Sequence, residues 1–266
     1  MERSVVLVAL RGQNGRAAMR ARAMGGVLFT VTAMLAPGGR AAAQVPDKFT
    51  NLQVLPKTTP KAELVQIMRG FTGALGVRCN HCHVGASASN LEGYDFAADT
   101  KETKRVARAM MRMTQEINTR LLPQAGRAAP ATVVCFTCHH GVTRPERLQD
   151  LLSATVQKEG VDAALRQYRE LREKHYGRAA YDFGAPTLNQ LAEPLAEKDV
   201  EAAIAVQRFN VEVNPGIATS HSLLARLYLK KGDKAAARAE LERAAALDPA
   251  EQFYKKQLEE LKKQQP

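Results

Sequence analysis

Two pentapeptides constrain this chain more than any other feature. GVRCNHCHVG carries Cys79, Cys82 and His83, and VVCFTCHHG repeats the pattern with Cys135, Cys138 and His139. Together they use all four cysteines of the 266-residue chain. Paired Cys-x-x-Cys knuckles can build a zinc ribbon, but those knuckles usually lie about 15–20 residues apart. Here 52 residues separate Cys82 from Cys135. Structural disulfides suit an exported chain. Neither chemistry requires a histidine directly after each second cysteine.

Covalent attachment of c-type haem does require it. Both thiols add to the haem vinyl groups, and the adjacent histidine ligates the iron. On this reading Cys79 and Cys82 hold one haem with His83 on its iron, and Cys135 and Cys138 hold a second with His139. Thioether ligands would close the opposite faces and raise the potential, so methionines on helices upstream of each motif become candidates.

Two such helices are expected. Over Thr58–Gly76, Leu64, Ile67, Met68 and Phe71 form one apolar stripe; Thr59 is placed to cap the helix and Gly76 to end it. Over Thr100–Leu122, Val106, Met110, Met113 and Ile117 share a face, Met111 lies a quarter-turn away, and Pro123 ends the run. Met68 and one of Met110 or Met113 are the candidate sixth ligands. Without the haem motifs, core packing would be the ordinary role for such methionines. His81 and His140 are read as bystanders or propionate partners. His175, near a helix C-terminus, is expected to be partly positive, and neither it nor His221 is assigned to iron.

The N-terminus reads as an export signal. Arg11, Arg16, Arg20 and Arg22 precede the apolar run Ala23–Ala36, and Ala41-Ala42-Ala43 offers a cleavage site. An uncleaved membrane anchor is the alternative. Without residues 1–43 the chain carries 32 basic and 26 acidic side chains, a net +6. No dense Lys/Arg run interleaves with aromatics, so nucleic acid is not an expected partner. The periplasm is the expected compartment, with membrane association open.

After Arg147 the sequence becomes charged amphipathic helix. Pro215 and Pro249 lie 34 residues apart, the tetratricopeptide period. Leu224, Tyr228, Ala237 and Ala244 fit consensus positions of the second repeat. In the first, Pro194 replaces an aromatic and is expected to distort its helix. A polar helix at the C-terminus would cap the stack. The expected architecture is all-α: a signal peptide (1–43), a dihaem cytochrome domain (44–147) and a tetratricopeptide-like helical-hairpin domain (148–266).

The segments LPKTTPKAELVQIMRGFTGALGVRCNHCHVG, VARAMMRMTQEIN and VVCFTCHHG together resemble the cytochrome c subunit of photosynthetic reaction centres over Val45–Arg147. The resemblance implies a haem-iron electron-transport protein of photosynthesis rather than an enzyme. It pairs Met68 with His83 and Met110 with His139, and makes Met113 a packing residue beneath the ring. Two covalently bound haem c groups are expected where that subunit carries four. The implied partners are a redox protein donor or acceptor, a membrane-bound electron-transfer complex or a reaction centre, docked through the helical repeats. A dihaem peroxidase-like enzyme, or a haem-based sensor with one open iron, is the alternative.

Overall fold

The computed structural model describes residues 45–126 and 131–263; the export signal expected over 1–43 lies outside them. Among the described residues every regular element is helical, and the single β-bridge joins Val84 to Asp95. The all-α expectation holds. No helix among them is long and apolar enough to cross a membrane.

Helix α1 runs Lys61–Leu75. Pro60 occupies its N-cap, Glu63 sits in the first turn, and Gly76 ends it at φ 66°, with its N–H bonded to the Thr72 carbonyl. Thr59 does not cap it. Its hydroxyl donates instead to the Pro56 carbonyl at 2.7 Å, closing the preceding turn. A 3₁₀ turn over Cys79–His81 follows.

Helix α2 runs Glu102–Glu116 and continues through a π-helical turn, Ile117–Leu121, into the short α3, Leu122–Gln124. The run ends at Gln124, one residue past Pro123, much where the sequence places its stop. Asn118 lies within the widened turn. Its amide donates to the Val133 carbonyl at 2.7 Å and accepts the Val133 N–H at 2.8 Å, tethering the chain just before α4, Cys135–His139.

The remaining helices stack as hairpins. Helix α5 (Leu148–Glu159) pairs with α6 (Val161–His175), α7 (Ala185–Leu195) with α8 (Val200–Val213), and α9 (Ala218–Lys231) with α10 (Lys234–Leu247). Helix α11 (Gln252–Lys263) packs on α10. Each hairpin also contacts the next, α5 on α7, α6 on α8 and α8 on α9. Asp199 and Asp233 occupy equivalent caps: their carboxylates accept the Ala202 and Ala236 N–H groups at 3.0 and 2.9 Å.

The hairpin core begins with Leu152, Ala164, Leu188 and Val206 around Tyr168, whose hydroxyl donates to the Phe183 carbonyl at 2.8 Å. It continues through Ile204, Leu224 and Leu227 to Ala237, Leu241 and Leu261. Pro194 lies inside α7, one residue from its end at Leu195. His175 does close α6, but burial, then Lys174 and Arg178, hold its imidazole below its ordinary value. The expected partial positive charge is therefore disfavoured, chiefly by burial.

Candidate functional site

Residues 45–143 enclose a cavity of about 940 Å³. Met68 of α1, Cys79, Cys82 and His83 of the first motif, Met110 of α2, and Cys135 and His139 of the second motif all line it. Cys138 is exposed and does not. The wall is otherwise mostly apolar, with Leu52, Val54, Leu64, Phe71, Leu75 and Phe96 among its members.

Cross-bracing brings the two motifs to one space. Helix α1 packs against α4, and the Gly141 N–H donates to the Ala74 carbonyl at 2.8 Å. A Cβ on Gly76 would lie 2.1 Å from the Gly141 carbonyl oxygen, so a side chain cannot enter this crossing. At the other end, Lys101 donates to the Asn80 carbonyl and Thr103 to the His81 carbonyl. The first motif is thereby held by the start of the second methionine helix.

The two histidines are fixed differently. His139 is buried, and its Nδ1 lies 2.9 Å from the Val142 carbonyl. A carbonyl only accepts, so Nδ1 carries the proton and Nε2 is left with its lone pair, the arrangement a ligating imidazole needs. His83 packs edge-on against Phe96, with ring centroids 5.1 Å apart. Burial, then Lys104 and Arg108, push its imidazole down towards the neutral form, against the Phe96 backbone. Both rings can thus offer a lone pair to a metal.

Burial is also the main cause that pushes the Cys82 and Cys135 thiols up. None of the four cysteines is in a disulfide. Among the described residues no three His, Cys, Asp or Glu side chains gather closely enough to hold a metal ion. A zinc cage needs four converging donors with deprotonated thiols, and these residues do not make one. A large apolar cavity with three of the four thiols and both imidazoles on its wall fits covalently held haem.

The methionines of α2 divide otherwise than the sequence suggested. The cavity face carries Thr103, Val106, Ala107, Met110 and Met111. Met113 is 45% exposed and off that wall, so it is not the packing residue expected beneath a ring. The helix presents the 103–107–110–111 side, and the apolar stripe drawn through Met113 and Ile117 turns away.

Lys104 was not foreseen. It is 8% exposed, and its ammonium donates to the carbonyls of Phe96, Ala97 and Ala98 at 2.9, 3.2 and 2.7 Å. Its ion pair with Asp99 spans 3.0 Å, and Arg108 meets the same carboxylate at 2.8 Å. Arg108, then Asn51 and Lys104, hold the Asp99 carboxyl far below the usual range. On an amphipathic helix Lys104 reads as a surface cation; only the returning 95–99 loop buries it.

The model of the photosynthetic reaction centre cytochrome C subunit family matches residues 12–193. The chain belongs to that family. Of the relatives, the photosynthetic reaction center cytochrome c subunit of Rubrivivax gelatinosus (strain NBRC 100245 / IL144) is 34% identical over 115 residues, 36% of this chain and 30% of its own. The subunit of the same name from Roseobacter denitrificans (strain ATCC 33942 / OCh 114) is 31% identical over 122 residues, 45% of this chain and 31% of its own. The chain therefore spans less than a third of either relative. The family match ends within α7, and the stacked hairpins continue beyond it to Lys263.

Proposed function

We propose that the chain is a dihaem c-type cytochrome that carries single electrons. Cys79 and Cys82 would hold one haem, with His83 and Met68 on its iron. Cys135 and Cys138 would hold the other, with His139 and Met110. Bound haem c supplies a one-electron iron couple, and two thioether ligands would keep both potentials high. The observation that carries this reading is the convergence of Met68, Met110, both histidines and three of the four cysteines on one cavity.

The protein's own groups have definite tasks. The Val142 carbonyl orients His139, and the lining of Leu64, Phe71, Leu75 and Phe96 excludes water. Cross-bracing between α1 and α4 keeps the two units adjacent, which would favour electron exchange between them. The likeness to reaction-centre subunits supports a periplasmic site of action after export, with a membrane-bound complex or soluble redox protein as partner. Three hairpins plus a closing helix, with caps 34 residues apart at Asp199 and Asp233, support a tetratricopeptide-like docking domain from 148 onward. Docking there would raise the effective concentration of a redox partner.

The test is the optical spectrum of the haem-matured, reduced protein before and after carbon monoxide, with a haem count per chain. Two haems and an unchanged spectrum support a closed carrier. A shifted spectrum in intact protein overturns double Met/His closure and brings forward the peroxidase or sensor alternative. Replacing Met110 by Ala should then open one iron to carbon monoxide, whereas Met113→Ala should not.

A further inference from the structure

The joint between the second and third hairpins is closed by one imidazole that faces an acceptor on each side. His221 lies near the start of α9 and is buried. Its Nδ1 stands 2.7 Å from a Glu240 carboxylate oxygen on α10, and its Nε2 stands 3.2 Å from the Pro215 carbonyl, in the turn after α8. A carbonyl only accepts, so Nε2 carries a proton. A neutral imidazole would then turn the bare lone pair of Nδ1 towards a carboxylate, which also only accepts. Both contacts exist together only while a further proton lies between Nδ1 and Glu240. The imidazole side chain is 9% exposed, so little water is at hand to replace a lost partner.

The other charges on the helices packed around it have their own places. Glu193 and Glu197 of α7 pair with Arg226 and Lys230 of α9, Glu201 of α8 pairs with Lys231, and Glu242 of α10 pairs with Arg238. Arg208 and Glu212 of α8 and Arg243 of α10 are exposed. Among the described residues Glu240 is the carboxylate that pairs with His221. We propose that His221 is a proton-operated latch. With both nitrogens protonated it ties the α8–α9 turn to α10; with one proton gone it must release one of the two, and the third hairpin loosens on the second. The stability it gives is present in acid and fades as pH rises across about 5–8, where histidine side chains change charge. His175 works in the opposite sense, because burial holds its ring neutral and acid must charge it. The two ends of the hairpin stack thus answer pH in opposite directions. The latch concerns the hairpins alone and stands whether or not the dihaem reading does.

The experiment uses the full chain with isotope-labelled histidine, its ring nitrogens followed by NMR and the His221 signal assigned by its loss in His221→Gln. Both nitrogens should be protonated at the acid end of the range, and Nδ1 should lose its proton as pH rises. Hydrogen exchange is read beside it as protection factors, which removes the intrinsic pH dependence of exchange. The Ile217 and Ser220 amides close the α8–α9 turn on the Asn214 and Ile217 carbonyls. Their protection should fall about three- to tenfold between about pH 5 and 8. His221→Gln and Glu240→Gln should each flatten that fall, while the response around His175 persists. A His221 ring that keeps one charge state from about pH 5 to 8, or an equal fall in protection in Glu240→Gln, would overturn the latch. If one variant fails to fold, the other assigns the ring signal and the wild-type titration decides.

Discussion

The cytochrome segment and the hairpin stack are built on opposite principles. Between 148 and 263 the chain buries Leu152, Tyr168, Leu188, Leu191, Val206, Phe209, Leu224 and Leu241 almost completely. Between 45 and 143 the buried apolar side chains are Leu64, Ala74 and Val142. The first segment spends its Leu, Val, Phe and Met side chains on the wall of a cavity rather than on one another. Apolar burial is the main favourable term in folding, so the two regions draw stability from different sources. The hairpins depend on their own side chains, and the cytochrome segment on whatever apolar body fills the cavity.

The comparison breaks most visibly at the cysteines. Cys79→Ser with Cys82→Ser should halve the covalent haem per chain by mass spectrometry and lower the melting temperature of the cytochrome segment while the hairpin transition remains. One common transition for both regions would erase the distinction. Leu152→Ala is the converse change. Leu152 is fully buried in the hairpin core, and its truncation should cost about 2–5 kcal/mol. Denaturant unfolding should show that loss, and the haem spectrum should not move.

Gly76→Ala probes the crossing between the two Cys-x-x-Cys-His segments. It adds a Cβ against the Gly141 carbonyl at positive φ, and should cost about 1–3 kcal/mol in the cytochrome segment alone. The smallest effect concerns acid. The Asp99 carboxyl is held below its ordinary value by Arg108, Asn51 and Lys104. A depressed folded-state value gives stability that is present above the unfolded value, about 3.9, and is lost as pH falls through the folded one. Acid titration below about pH 4 should loosen the 95–99 loop before the hairpins, and Asp99→Asn should flatten that response.

Much of this organisation is legible in the residues. The Cys-x-x-Cys-His spacing and the Met68 stripe point to groups that, Cys138 and Ile67 excepted, line one cavity, because helical period and motif spacing are local properties. The 34-residue period places Pro215 and Pro249 just after α8 and α10, and Gly76 ends α1 as its freedom at positive φ allows. What escapes local reading depends on distant partners. Thr59 turns back to the Pro56 carbonyl and leaves α1 without a side-chain cap. Met111 reaches the cavity instead of Met113 because the packing of α2 sets its rotation, and a hydrophobic stripe does not determine that angle closely. Lys104 is buried only by the 95–99 loop, and the orientation of His139 comes from a backbone carbonyl, which leaves no mark in the identity of Val142.

The cross-bracing also imposes an order of assembly. The first Cys-x-x-Cys-His turn receives its bonds from Lys101 and Thr103, some twenty residues downstream, and the end of α1 receives its bond from Gly141. A chain emerging from its N-terminus therefore exposes Cys79 and Cys82 well before anything can close over them. The second pair has no such interval, since Gly141 follows Cys138 by three positions. An attachment machinery working along the emerging chain would meet an open first site and a second that closes almost as soon as it appears.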